Sequence, residues 1–230
     1  MADTEKVLAS LDLSKTSTKL LAIVANLRGV EQAVYHKQIN YLGFPFSISE
    51  TFQQRNTNSS IEQSLITVEK MLDLCAKNNK KAVVYLSMGF GNPYGDEWNY
   101  EIVEKWAAIL VSKGVEILSL ADTVGISTPA KIKAILPPLI SKFNHTEIGV
   151  HLHSTPTERF EKIEAAYDSG VKRIDSALKG FGGCPMAADD LTGNIATEDV
   201  ISYLNSKGEE LNLNIDKWNE AMRLSGKIFG

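Results

Sequence analysis

Cys184 stands in the run Phe181-Gly182-Gly183-Cys184-Pro185, with Gly193-Asn194 close behind it. The glycine pair lets the backbone bend and approach a ligand closely, and the proline fixes the direction in which the chain leaves. A thiol set in such a turn, rather than inside a helix, is placed to reach a substrate. The plainer reading is a tight turn that happens to contain a cysteine. Upstream stands a second group, His151-Leu152-His153. Residues two apart in a strand project to the same face. Gly149, His151 and His153 should therefore share one face, with Ile148, Val150 and Leu152 on the other. Two adjacent imidazoles can bind one divalent ion or divide metal binding and acid–base work between them. A pair of satisfied, buried histidines is the alternative.

A hard divalent ion takes oxygen ligands as well and fills a six-fold shell. Asn194 could supply an amide oxygen, and Asp122 could meet metal, water or substrate. Asp122-Thr123 also reads as an ordinary turn. Glu198 and Asp199 follow Thr197 at an expected helix start, where the helix dipole alone favours acids. His36 and His145 fall at helix ends and read as solvated.

The elements that must position these groups alternate. Six strand candidates recur, at Leu20–Val24, Ile39–Leu42, Ala82–Leu86, Val115–Leu120, Ile148–Leu152 and Arg173–Ala177, with helical patterns between them. Ser60 and Gln63 form a capping box ahead of a helix whose stripe carries Leu65, Val68, Leu72 and Cys75. Cys75 is thus expected to be a small core hydrophobe. Thr128 and Pro129 cap and open another helix, which Pro137-Pro138 should kink, and Gly114 and Gly170 are helix stops. The α/β pattern predicts a (β/α)8 TIM barrel in which six βα units are visible. Such a barrel usually has about 250 residues and gathers its polar groups at the C-terminal strand ends. The doubly wound alternative lacks its glycine-rich loop after the first strand.

With 230 residues, 43% of them hydrophobic, the chain has material for one core, and no change of composition divides it, so residues 1–230 are expected to form a single catalytic domain. A net charge of -4 leaves no electrostatic footprint for nucleic acid or an anionic membrane. No apolar run approaches the ~20 residues of a membrane helix. Two cysteines make no disulfide framework, and the acidic start shows no signal peptide. Together these point to the cytoplasm.

The chain resembles the 3-hydroxy-3-methylglutaryl-CoA lyase family of divalent-metal TIM-barrel lyases. The resemblance is carried by Gly149–His153, by Ser176–Pro185 with its Gly-Gly-Cys-Pro core, and by Gly193–Asp199. Weaker echoes lie at Asn26–Gly29, Ser59–Glu62, Pro93-Tyr94 and Ser119–Gly125. It implies retro-Claisen cleavage of 3-hydroxy-3-methylglutaryl-CoA to acetyl-CoA and acetoacetate with Mg2+ or Mn2+. It implies His151, His153 and Asn194 as metal ligands, His151 also standing close to the proton transfers. Cys184 would donate a proton to the enolate, and Asp122 and Glu198 would support the site. The CoA thioester would enter at the C-terminal face, near Asn56 and Asn58, with Gly182 and Gly183 against the substrate.

The family's barrel opens with a strand bearing adjacent arginine and aspartate, one steadying the enolate and the other completing the metal shell. No such strand occurs here, and Met1–Leu8 resembles the helix after the family's second strand. The expectation is an N-terminal truncation lacking two strands, with open sheet edges that association into a homo-oligomer could cover. Ser154 stands where the family often has aspartate, and the Cys184-to-Asn194 loop is slightly long. A related condensing synthase or aldolase would share the histidines and the Gly-Asn but not the Gly-Gly-Cys-Pro loop. A non-catalytic scaffold would have no reason to keep a tight ion site.

Overall fold

The computed structural model describes residues 3–183 and 192–229. After α1 (Thr4–Ser10), strands and helices alternate. They are β1 (Leu20–Ile23), α2 (Leu27–Ala33), β2 (Ile39–Ser47), α3 (Glu50–Thr57), α4 (Ile61–Lys77), β3 (Lys81–Ser87), α5 (Tyr100–Ser112), β4 (Ile117–Ala121), α6 (Pro129–Lys142) and β5 (Glu147–His151). Next come β6 (His153–Ser154), α7 (Arg159–Asp168), β7 (Ile174–Asp175), β8 (Gly193–Asn194), α8 (Thr197–Ser206) and α9 (Ile215–Ile228).

Six strands form one all-parallel sheet in the order β1-β2-β3-β4-β5-β7. Spatial order follows chain order without reversal, so there is no switch point of the doubly wound kind. This is the wall of an incomplete TIM barrel. Among the described residues β1 has β2 as its sheet partner and closes on no other strand.

Alternation along each strand sorts side chains between the helices and the barrel interior. Leu42, Phe44, Phe46, Val84, Leu86, Leu118, Leu120, Ile148 and Val150 are almost wholly buried in the apolar core. Tyr85, His151 and Asp175 turn the other way and line an interior cavity. Gly43 shows why that face needs room: a Cβ there would lie 2.9 Å from the Tyr85 ring.

Local signals hold the helices as expected. Ser60 and Gln63 form the reciprocal capping box of α4, and the Thr128 side chain accepts from the Lys131 backbone N–H at the start of α6. The buried stripe of α4 is Ile61, Ser64, Val68, Met71 and Cys75, with Leu65 and Leu72 on its flank. Burial pushes the Cys75 thiol up to about 11, which suits a core residue. Helix α6 continues through Pro137 and Pro138 to Lys142. Gly114 and Gly170 stop α5 and α7 with positive φ values of 98° and 89°.

Candidate functional site

At the C-terminal ends of the strands lies a cavity of about 380 Å³ lined by His151, His153, Asp175, Tyr85, Thr123 and Asn56, among others. Strand β5 delivers His151, and the next inward position delivers His153, as the two-residue spacing requires. Their ring centroids are 5.1 Å apart at 70°. His153 is 4% exposed, and its Nδ1 is buried without a hydrogen-bond partner. Burial first, and the neighbouring His151 second, lower its pKa from 6.5 to about 4. An imidazole kept neutral, with an orphaned ring nitrogen beside a cavity, has the chemistry of a metal ligand.

Asn194 is brought opposite His153 by an unexpected route. Strand β8 runs antiparallel to β6, pairing His153 with Asn194 and Ser154 with Gly193. The Asn194 amide donates to the Phe181 carbonyl oxygen at 2.9 Å, which leaves its own oxygen for another partner. The glycines explain how the chain folds back so closely. A Cβ on Gly180 would lie 2.8 Å from the Asn194 carbonyl oxygen, and one on Gly183 would lie 2.9 Å from that of Thr192. Gly182, with φ near 79°, accepts the Asn194 backbone N–H. Gly182 and Gly183, expected at the substrate, thus make their close contacts with the returning chain. Cys184 lies outside the described residues.

Three other expected site residues are engaged in local contacts. The Asp122 carboxylate, whose side chain is wholly buried, accepts from the Ser127 backbone N–H at 3.0 Å and its hydroxyl at 2.5 Å, and pairs with Lys162 at 3.4 Å. Thr123, its neighbour, lines the cavity in its stead. Glu198 accepts the backbone N–H of Lys179, which sits in a left-handed turn. Asn56 lines the cavity, but Asn58 ends α3 with φ 52° and accepts from Gln54. These placements follow from local needs: an acid beside a buried lysine, a carboxylate over an exposed N–H, and an asparagine tolerant of the left-handed region.

Sequence reasoning passed over Asp175, Tyr85 and Lys162. Asp175 had a signal, since Arg173 and Asp175 are charged residues two apart in a short strand. Lys162 had none, because a lysine on an amphipathic helix ordinarily reads as solvated. Among the described residues no group of three or more His, Cys, Asp or Glu converges on one point.

A parallel partial barrel with paired imidazoles on the C-terminal rim of its wall is the layout of a TIM-barrel enzyme. The HMGL-like family model matches residues 1–224, and the chain belongs to that family. It is 32% identical over 217 residues to the hydroxymethylglutaryl-CoA lyase YngG of Bacillus subtilis, covering 94% of this chain and 72% of that protein. It is 32% identical over 221 residues to the cytoplasmic 3-hydroxy-3-methylglutaryl-CoA lyase of Rattus norvegicus, of whose length it spans 64%. A structure of an HMG-CoA lyase from Acinetobacter baumannii in complex with coenzyme A and 3-methylmalate matches with a TM-score of 0.84 at 26% identity, over 97% of this chain and 72% of that one.

Proposed function

We propose that this protein cleaves 3-hydroxy-3-methylglutaryl-CoA to acetyl-CoA and acetoacetate. The observation that carries the reading is the pairing of His151 and His153 at one cavity, with Asn194 opposite His153 on an antiparallel strand and His153 Nδ1 buried and unpaired. These residues fit a divalent ion, Mg2+ or Mn2+, which when bound supplies Lewis acidity to the oxygens of the substrate. His151 stands beside the C3 hydroxyl; that hydroxyl, acidified by an ion held there, would lose its proton to solvent water as the C2–C3 bond breaks. The electrons of that bond pass to the acetyl-CoA enolate, and Cys184 returns a proton to its carbon. The apolar lining from Leu21, Ile23, Pro45 and Phe52 excludes water around the reacting carbons. Asn56 meets the CoA thioester at the rim, and Asp122 and Glu198 act by holding the backbone around the site.

Residues 1–230 act as one catalytic unit, and the apolar cluster that includes Leu8 and Tyr203 supports that reading. A cytoplasmic location belongs to the same proposal. The rat relative is named cytoplasmic, others are named mitochondrial, and among the described residues no helix is long and apolar enough to cross a membrane. Association into a homo-oligomer would cover the open edge of β1.

The test is product analysis. Given 3-hydroxy-3-methylglutaryl-CoA and Mg2+ or Mn2+, the protein should release acetoacetate, and excess chelator should stop it. Free CoA released from acetyl-CoA and a 2-oxoacid, with no acetoacetate in the first assay, would instead assign it to the condensing synthases.

A further inference from the structure

Beneath the histidine pair the inner face carries a second charged group. Arg173 and Asp175 project inward around β7, and Arg173 lies across Gly149 of the neighbouring β5. A Cβ on Gly149 would sit 2.9 Å from the Arg173 Cβ and 3.0 Å from its Cδ, so the missing side chain makes the arginine's channel. Arg173 Nε lies 3.4 Å from Asp175 Oδ1, and its far end lies 3.8 Å from Glu147 Oε1. Tyr85 closes the side; burial first, and the Asp175 charge second, raise its phenol pKa. The other carboxylate oxygen, Asp175 Oδ2, is buried without a hydrogen-bond partner and lies 3.7 Å from His151 Nδ1.

A buried carboxylate oxygen left without a donor is costly. Two groups face this carboxylate: the Tyr85 hydroxyl from the side and, at Oδ2, the Nδ1 atom of His151. The separation from Nδ1 is that of an ion-pair contact rather than a formed hydrogen bond. We propose that Asp175, held by Arg173, is the positioning residue of His151: it accepts a hydrogen bond from the Nδ1–H and leaves the Nε2 lone pair free at the cavity. A carboxylate behind a metal-binding imidazole fixes tautomer and ring orientation in this way. The proposal deepens the reading of the site given above and rests on it for the identity of the ion.

Two readouts test it on the full chain. In chelator, 15N-histidine NMR should show His151 as the Nδ1–H tautomer. In Asp175→Asn, Arg173 engages the amide oxygen and the NH2 group faces the ring, so His151 should change to the Nε2–H tautomer. Titration with Mn2+ alone should then show affinity lowered about 10–100-fold. Arg173→Gln keeps the packing over Gly149 but frees the carboxylate, and should shift both readouts in the same direction by less. It decides the question if Asp175→Asn does not fold. Glu104→Gln, at a distant surface pair with Lys142, should change neither. An unchanged tautomer together with Mn2+ affinity within twofold of wild type would overturn the proposal. If the wild type binds no Mn2+, the metal reading fails, and the tautomer still decides the role of Asp175.

Discussion

Lys162 Nζ lies 3.4 Å from Asp122 Oδ2, and both side chains are withdrawn from solvent. The same ammonium donates to the carbonyl oxygens of Gly125 and His153 at 3.2 and 2.9 Å. One cation from α7 therefore ties the exit of β4 to the backbone that carries His153. A buried pair adds little net stability over an apolar replacement, but stranding one partner is expensive.

Lys162→Met should accordingly destabilise the chain by about 3–5 kcal/mol in urea unfolding. Adding Asp122→Asn to that variant should recover part of the loss, since no bare charge then remains buried. A loss below about 1 kcal/mol in the single variant, the range of an exposed pair, would show that Lys162 is not the staple described.

Stability should also fall on mild acidification because of His153. Its pKa is lowered from 6.5 to about 4 by burial and by His151. Between those values the unfolded chain binds the proton and the folded chain does not. The contribution is thus complete above about pH 6.5 and is lost as pH falls toward 4. A shift of that size corresponds to something on the order of 3 kcal/mol. Chemical denaturation of the metal-free chain at pH 7 and pH 5 should show the loss, and His153→Gln should reduce it. Equal pH dependence in both chains would contradict the assignment.

The two cysteines should differ sharply toward an alkylating reagent. Burial raises the Cys75 thiol to about 11, so thiolate is scarce there near neutral pH. The role proposed for Cys184 requires it to reach substrate. Native protein should take up one label, at Cys184, and Cys184→Ala none until urea is added. Native labelling of Cys75 at a similar rate would overturn this.

The strands of the wall were legible because β-branched runs separated by amphipathic helices leave few other folds. β2 proved longer than its apolar start suggested. Pro45 argues against a strand, yet pairing with β1 ends at Gly43, so among the described residues Pro45 lies where only β3 accompanies it. Helix α3 gave no stripe to find, being short and polar behind its Ser49 cap. The histidine face was readable from strand periodicity alone. The meeting of Asn194 with His153 was not, since it depends on an antiparallel return that only glycines at 180, 182, 183 and 193 permit. Lys162 was illegible because a charge on a helix reads as solvated until the neighbours that bury it are known, whereas Asp175 left only the faint signal of two charges in a short strand.

The measurement that bears most directly on the proposed activity is acetoacetate release from 3-hydroxy-3-methylglutaryl-CoA with Mg2+ or Mn2+. It should be made with the chain alone and with an upstream strand bearing the family's arginine–aspartate pair supplied, each beside its Cys184→Ala variant. The account predicts metal-dependent acetoacetate that disappears with Cys184. No acetoacetate from either form, or release that Cys184→Ala leaves untouched, would contradict it.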